Sequence, residues 1–318
     1  MRKQQNFAQP VLTQTTYAGE FAGKYIAAAL LSAKTLDNKN VTIMPNVKYK
    51  EVIQKIAVNS IVNDASCDFV TSGTVALSER VIEPKELQVN LELCKQNFLN
   101  SWEALQLGYS AFDEIPKDFN DFLISYVGGQ VAAATETSIW TGVAATNGQF
   151  GGFLPALSAS AAAGGAGAVV KSSASGSITS ANVLTKLDAI VNSIPNTVYG
   201  KEDLVIYVPT NVVKAYQQAL AGGAQGANGF NNQMNVGEKP LNFNGIELVW
   251  SPGMTDSYLV AAQKSNLFFG TGLLSDYNEV RVLDMANIDG SQNFRIIMRY
   301  TAGTQFGIGE DIVIAIPS

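Results

Sequence analysis

Apolar and polar residues alternate along several segments of this chain. The alternation is clearest in VTIMPNVKYKEV (41–52), GTVALSERVI (73–82) and ELQVNLEL (86–93). A period of two residues predicts strands that bury one face. The closing segment NFRIIMRYTAG (293–303) has the same period, and its expected buried positions are Phe294, Ile296, Met298 and Tyr300.

One segment in the middle of the chain has helical spacing instead. Pro116 and Asp118 are typical start signals, and the apolar residues that follow recur at intervals of three and four. The pattern predicts a helix over 116–141, and about 24 helical residues at a rise of 1.5 Å per residue give a length of about 36 Å. Its expected apolar stripe consists of Phe119, Phe122, Leu123, Tyr126, Val127 and Val131.

Four shorter helices are predicted elsewhere. Two precede the long helix, at 19–35 and 94–108. Two follow it: Ser180 is expected to cap the first, which ends before Pro195, and Thr210 is expected to cap the second. DLVIYVP, between these last two helices, is typical of a short buried strand. Helices and strands together indicate a mixed α+β chain.

Two segments rich in small and polar residues interrupt this pattern. Residues 156–176 consist mainly of Ala, Gly and Ser, which predicts a flexible linker and a domain boundary. Residues 222–237, GGAQGANGFNNQMNVG, predict a polar loop. The uncharged stretch 137–170 lacks the Leu, Ile, Val and Phe density of a membrane span. No apolar core follows Arg2-Lys3, so a signal peptide is not expected and the protein is expected to be soluble and cytoplasmic when made.

Composition narrows the range of functions. Charged residues make up 15% of the 318 positions, against about 25% in typical proteins, so neighbouring subunits are expected to cover part of the surface. The net charge is −6 and the only cluster of basic residues is Arg2-Lys3, which argues against sequence-specific nucleic-acid binding. Histidine is absent, which excludes Ser-His-Asp chemistry and the commonest zinc ligand. Cys67 and Cys94 form no CxxC motif; we expect two free thiols, with one disulfide as the alternative.

The segment FFGTGLLSD (268–276) is the best candidate for a phosphate-binding loop, because Gly270 and Gly272 have the spacing of a dinucleotide fingerprint. However, Ser275 stands where the third glycine belongs, and Asp276 would repel a phosphate. The next strand, EVRVLDM, follows too soon for a crossover helix. We therefore expect a glycine turn with positive φ.

Other candidate residues have ordinary structural explanations. The acidic pairs Asp113-Glu114 and Glu310-Asp311 fit no metal-binding pattern and are expected on solvated faces or at subunit contacts. Trp102, Trp140 and Trp250 are expected to pack in cores or interfaces. We assign no catalytic, cofactor-binding or metal-binding residue, and we predict that the protein is not an enzyme and needs no cofactor.

In order along the chain, these segments resemble the major capsid protein of tailed bacteriophages, with its HK-ninety-seven-type fold. The residues that carry the resemblance are TIMPNVKYKEVIQKI, SERVIEPKELQVNLELCKQNFLNSWE, NGIELVWSPGMTDSYLVAAQKSNLFFGTGLLSDYNEVRVLD and RIIMRYTAGTQFGIGEDIVI. The resemblance implies five parts: an N-terminal arm (1–38), an extended β-hairpin loop (39–80), a peripheral domain with the long spine helix and a flexible linker (81–177), an axial domain (178–290), and strands returning to the peripheral domain (291–318).

The resemblance also implies a function. The subunit would self-assemble into hexamers and pentamers that form an icosahedral head around double-stranded DNA, with a scaffolding protein, a portal and decoration proteins as expected partners and the virion as its location. Some relatives crosslink a lysine to an asparagine, and Lys48, Lys50 and Lys55 lie where such a lysine would be. The alternatives are an encapsulin-like compartment shell, a nucleotide-binding enzyme and an extracellular structural β-protein.

Overall fold

The computed structural model of the chain describes residues 14–18, 33–59, 64, 74–94, 117–174, 176–221, 241–272 and 279–317. The predicted helices at 19–35 and 94–108 lie almost entirely outside these residues. So do Cys67, Trp102, Asp113-Glu114, Ser275-Asp276 and the predicted loop at 222–237.

Fourteen strands and five helices make up the described residues. The strands are β1 (Gln14–Ala18), β2 (Thr42–Met44), β3 (Glu51–Asn59), β4 (Thr74–Ile82), β5 (Lys85–Cys94), β6 (Val170–Lys171), β7 (Leu204–Val208), β8 (Leu241–Phe243), β9 (Ile246–Trp250), β10 (Leu259–Gln263), β11 (Leu267–Thr271), β12 (Glu279–Asp284), β13 (Asn293–Phe306) and β14 (Val313–Ala315). The helices are α1 (Lys34–Asp37), α2 (Lys117–Thr141), α3 (Phe153–Ala163), α4 (Val183–Asn192) and α5 (Thr210–Ala221). The mixed α+β prediction is confirmed.

The first sheet is built around β13. Its strand order is β1-β12-β13-β11-β2, and β5 pairs with the other edge of β13. The alternating residues of β13 are buried as predicted, because one face of the sheet packs against the core while the other faces solvent. β11 and β12 lie end to end along one edge of β13: Thr271 pairs with Ala302 and Glu279 with Arg299.

The second sheet has the strand order β6-β14-β10-β7-β9-β8. Its central strand β7 is buried at all five positions, as expected for a strand covered on both faces. Helices α4 and α5 pack with this sheet through a second apolar cluster that includes Leu187, Ile190 and Val212. The closing strands of the chain are divided, since β13 belongs to the first sheet and β14 pairs with β10 in the second.

The long helix predicted over 116–141 is found as α2. Its described buried face follows Ile124, Val127 and Val131, with Trp140 fully buried near the end. Including Tyr126 in the apolar stripe is wrong, because Tyr126 lies beside exposed Ser125 on the opposite side of the helix. The side chains of Phe119, Phe122 and Leu123 lie outside the described residues. Among the described helices, α2 included, we find none with both the length and the apolar content that a bilayer crossing requires.

The prediction of a flexible linker over 156–176 is wrong for its first part, which belongs to α3. Alanine is a strong helix former, and the buried residues Phe153, Leu154 and Leu157 attach the helix to the core. A Cβ atom on Gly152 would lie 2.7 Å from the backbone nitrogen of Gly142. This glycine therefore permits a close approach of two backbone segments rather than flexibility.

Two predicted helix caps are also wrong. Helix α4 begins at Val183, and the Thr179 backbone N–H donates to Oδ1 of Asn182 at 2.8 Å, so Ser180 is not its cap. Thr210 lies inside α5, and its hydroxyl accepts a hydrogen bond from Nε1 of Trp250 at 2.9 Å. In both cases a tertiary or turn contact replaces the capping contact that local sequence favours.

Candidate assembly surface

Strands β3 and β4 form a two-stranded ribbon that projects from the first sheet. Nine antiparallel pairs connect them, from Glu51–Ile82 to Asn59–Thr74. At about 3.3 Å per residue, the ribbon is about 30 Å long. No other strand of the described residues joins it. An isolated ribbon of this kind is marginally stable in water and presents two open edges for pairing.

The end of the ribbon at Ile82, which we call the ribbon root, packs closely against the first sheet at two glycines. Gly270 of β11 and Gly303 of β13 are register partners. A Cβ atom on Gly270 would lie 2.8 Å from Cδ1 of Ile82, and one on Gly303 would lie 2.9 Å from Cα of Pro84. Gly270 lies within a strand, so the expectation of a positive-φ turn is wrong at this residue. The absence of a side chain at Gly270 permits close packing against Ile82.

Side chains hold the ribbon root in a fixed direction. Nε2 of Gln305 donates to the carbonyl oxygen of Val81 at 2.8 Å, and the Arg80 guanidinium lies 4.0 Å from the ring centre of Phe306. Partial burial lowers the pKa of Arg80. Going from Ile82 back to Arg80, β4 therefore follows β13 from Gly303 toward Phe306. The ribbon leaves the first sheet at this end.

The ribbon root exposes apolar side chains. Tyr49 is 79% exposed, and Val52 and Val81, which pair with each other, are 46% and 44% exposed. Further along the ribbon, the register pairs Ile56 with Leu77. Val52 and Val81 are neighbours, and Tyr49 lies two residues before β3. Exposed apolar residues of this kind are typical of protein–protein contact surfaces. We call Tyr49, Val52 and Val81 the root patch.

The candidate crosslinking lysines lie on or near the ribbon. Lys48 and Lys50 are exposed, and Nζ of Lys50 lies 3.0 Å from Oε2 of Glu83. The hydrogen bond to Glu83 raises the pKa of Lys50. Lys55 is paired with Ser78 in the ribbon, and its side chain lies outside the described residues. We assign no crosslink to any of them.

The turn in AQKSNLFFG connects the second sheet to the first. Asn266 is buried, its Nδ2 donates to the carbonyl oxygen of Ile308 at 2.8 Å, and its Oδ1 accepts from the Ile308 backbone N–H at 2.7 Å. Residues 264–266 lead from β10 to β11, while residues 307–312 lead from β13 to β14. Asn266 thus joins the two connections between the sheets.

A polar cluster continues this junction on its second-sheet side. The hydroxyl of Ser265 and Nε2 of Gln263 both donate to the carboxylate of Asp203. Burial alone would raise the pKa of Asp203, but these hydrogen bonds and those from the backbone N–H groups of Asp203 and Ser265 together hold the pKa below its ordinary value. Lys264 also forms an ion pair with Glu247 at 3.0 Å.

The remaining sequence candidates are separate from one another. Glu310 is exposed in a short turn, Cys94 is a free thiol at the end of β5, and Trp140 packs between Phe153 and Tyr207 with ring centres 5.5 and 5.1 Å away. Nowhere in the described ranges do three or more Asp, Glu or Cys side chains form a group suited to a metal ion.

Three arginines form a cluster that sequence reasoning missed. Arg281, Arg295 and Arg299 lie on the exposed face of the first sheet, where the register places Arg281 opposite Ile297. They come from two strands, so no basic run marks them in the sequence. Glu92 lies 2.7 Å from Arg295 and partly balances the charge.

Comparison with known proteins gives matches in structure alone. No protein-family model matches the sequence, and no curated protein matches it. A chain from the capsid of an empty GTA particle has a TM-score of 0.58 at 13% identity, covering 99% of this chain and 94% of that chain. For Gordonia phage Cozz the TM-score is 0.57 at 12% identity, covering 99% and 91%. For a virus-like particle from Pyrococcus furiosus it is 0.51 at 10% identity, covering 93% and 98%.

These likenesses cover nearly the whole chain, and at such low identities they establish the fold alone. The chain has the fold of phage capsid chains. The resemblance drawn from the sequence is confirmed at this level.

Proposed function

We propose that this protein is a major capsid protein of a tailed phage, which self-assembles into hexamers and pentamers of an icosahedral head. The observation that carries the proposal is the ribbon. It is about 30 Å long, only its root packs against the first sheet, and within the described residues it has no third strand. Two nine-residue strands that project in this way become more stable when another copy of the chain covers them.

The direction of the ribbon supports assembly by a repeating contact. It leaves one end of the first sheet, and we propose that it contacts a neighbour whose own ribbon continues to the next copy. Such a head-to-tail contact closes into rings when its rotation permits. We propose that the first sheet with α2 forms the peripheral domain and that the second sheet forms the axial domain around which the rings close.

Further partners follow from this proposal. A closed head filled with double-stranded DNA requires a portal for entry, and we propose a separate scaffolding protein as a second partner. Decoration proteins on the outer surface remain a further prediction. The mature location is the virion. We propose no catalytic role.

An encapsulin-like compartment is the second candidate. The likeness to the virus-like particle from Pyrococcus furiosus favours it, although its TM-score is lower than those of the phage and GTA chains. The cargo distinguishes the two candidates, because a phage head encloses genomic DNA and a compartment shell encloses protein.

Electron microscopy of the purified chain, alone and with co-expressed neighbouring gene products, tests the proposal. We expect closed icosahedral shells or their ring-shaped capsomers. A chain that stays monomeric at high concentration with every neighbouring product would contradict shell assembly. Nuclease-protected DNA in native particles would favour the phage head, and co-purifying enzyme cargo would favour the compartment.

A further inference from the structure

Residues 33–44, which we call the strap, contact both sheets and the long helix. Nζ of Lys34 lies 3.5 Å from the ring centre of Trp250 in β9. The carbonyl oxygen of Asn40 accepts a hydrogen bond from the hydroxyl of Tyr207 in β7, and burial strongly raises the pKa of this hydroxyl. The strap ends in β2, which pairs with β11 of the first sheet.

The centre of the strap is fastened to α2 by a buried polar cluster. The Thr35 backbone N–H donates to Oε2 of Glu136 at 2.9 Å, and the Thr35 hydroxyl donates to Oε1 at 2.6 Å. Nε1 of Trp140 donates to the Thr35 hydroxyl at 3.0 Å. The three residues are almost completely buried, so each hydrogen bond is protected from water.

The second sheet also rests on Glu136. A Cβ atom on Gly253, in the loop that follows β9, would lie 2.1 Å from the Glu136 carbonyl oxygen. Glu136 therefore contacts the strap through its side chain and the second sheet through its backbone. Trp250, which receives Lys34, precedes the same loop.

We propose that Thr35, Glu136 and Trp140 form a conformational lock that sets the position of the second sheet relative to α2 and the first sheet. Apolar contacts such as those of Leu36 and Val41 tolerate small displacements, whereas hydrogen bonds are directional. Withdrawal of Thr35 would leave an indole N–H and a carboxylate unpaired in the interior at the same time. The strap is therefore either seated or released, and its release allows the two sheets to move relative to each other.

Substitution of Thr35 by valine, which has nearly the same shape, tests the lock. Thr42→Val is the matched control, because Thr42 lies in the same strap but outside the cluster. Its hydroxyl donates to the carbonyl oxygen of Lys264. Hydrogen exchange of the Lys39 and Asn40 amides, which donate to carbonyl oxygens of the strap itself, reports whether the strap is seated. We expect the Lys39 and Asn40 amides to exchange at least tenfold faster in Thr35→Val than in the wild type. In Thr42→Val these two amides should exchange at the wild-type rate. The amides of β10 and β13 should exchange at the wild-type rate in both variants.

A second variant separates the hydrogen-bond pattern from the charge. In Glu136→Gln the amide oxygen can accept from the Thr35 N–H while the amide nitrogen donates to the Thr35 hydroxyl, whose own proton then lacks its acceptor. We expect strap exchange faster than in the wild type but at least threefold slower than in Glu136→Leu, which should behave like Thr35→Val.

Several outcomes would overturn the lock. Equal acceleration of the strap, β10 and β13 in Thr35→Val would show a general loss of stability, and so would a chain that fails to fold. Equal exchange of the Lys39 and Asn40 amides in Thr35→Val and Thr42→Val would show that the buried polar cluster does not retain the strap. Exchange in Glu136→Gln as fast as in Glu136→Leu would show that charge, rather than the hydrogen-bond pattern, retains the strap.

Discussion

The ribbon and the second sheet are both made of strand-forming, apolar-rich sequence, yet the chain completes only one of them. Strand β7 lies between β9 and β10, and all its side chains are buried. In the ribbon, β3 and β4 have only each other within the described residues, and Val52 and Val81 are exposed at the root. The second sheet therefore buries its central strand within one copy, whereas in the proposed assembly the ribbon is covered by a second copy.

The largest expected effect concerns the core between the sheets. Trp140→Ala removes a fully buried side chain and leaves a cavity next to Phe153 and Tyr207. We expect the free energy of unfolding to fall by about 3–5 kcal/mol. Urea unfolding of the monomer, followed by circular dichroism, measures this loss. A loss below about 1 kcal/mol would show that this region is not part of the folded core.

A smaller loss is expected at the junction between the sheets. Asn266→Ala leaves both the N–H and the carbonyl of Ile308 without their side-chain partner. We expect a loss of about 1–3 kcal/mol in the free energy of unfolding, also by urea unfolding. Asn242→Ala, at an exposed position of β8, is the control and should change stability little. Equal losses in the two variants would remove the special role of Asn266.

The ribbon should show the opposite behaviour to the core. Val52→Lys places a charge on the root patch, and we expect the free energy of unfolding of the monomer to change by less than about 0.5 kcal/mol. Assembly should nevertheless be lost, as measured by sedimentation velocity and electron microscopy. Tyr199→Lys, an exposed residue outside the ribbon, is the control that should still assemble. Normal shells from Val52→Lys would show that the root patch is not an interface.

The smallest effect concerns Asp203. Its pKa in the folded protein lies below the ordinary value of 3.8, so it contributes stability above that pH and loses it as the pH falls through its lowered pKa. Between about pH 5 and about pH 2, Asp203→Asn should therefore lose less stability than the wild type. Urea unfolding across this range measures the difference. Parallel pH profiles of the two proteins would contradict the assignment.

Sequence patterns predicted best where local period and tertiary environment agree. The alternation in β13 and the helical spacing of α2 each match a one-sided core, so both elements were found where expected. Gly270 was misjudged because its role depends on Ile82, which lies 188 positions earlier and reaches it only in the folded chain. The three clustered arginines and the strap were missed for the same reason, since their partners come from distant segments.

The end-to-end arrangement of β11 and β12 has a practical consequence. Seven residues, 272–278, separate Thr271 from Glu279, while their partners Ala302 and Arg299 are separated by only two. The register of the first sheet is thus fixed on both sides of the seven-residue connection between β11 and β12. A foreign peptide inserted after Leu274 should leave every ladder pair of β13 unchanged. The chain therefore offers a position for a peptide insertion that keeps the first sheet intact.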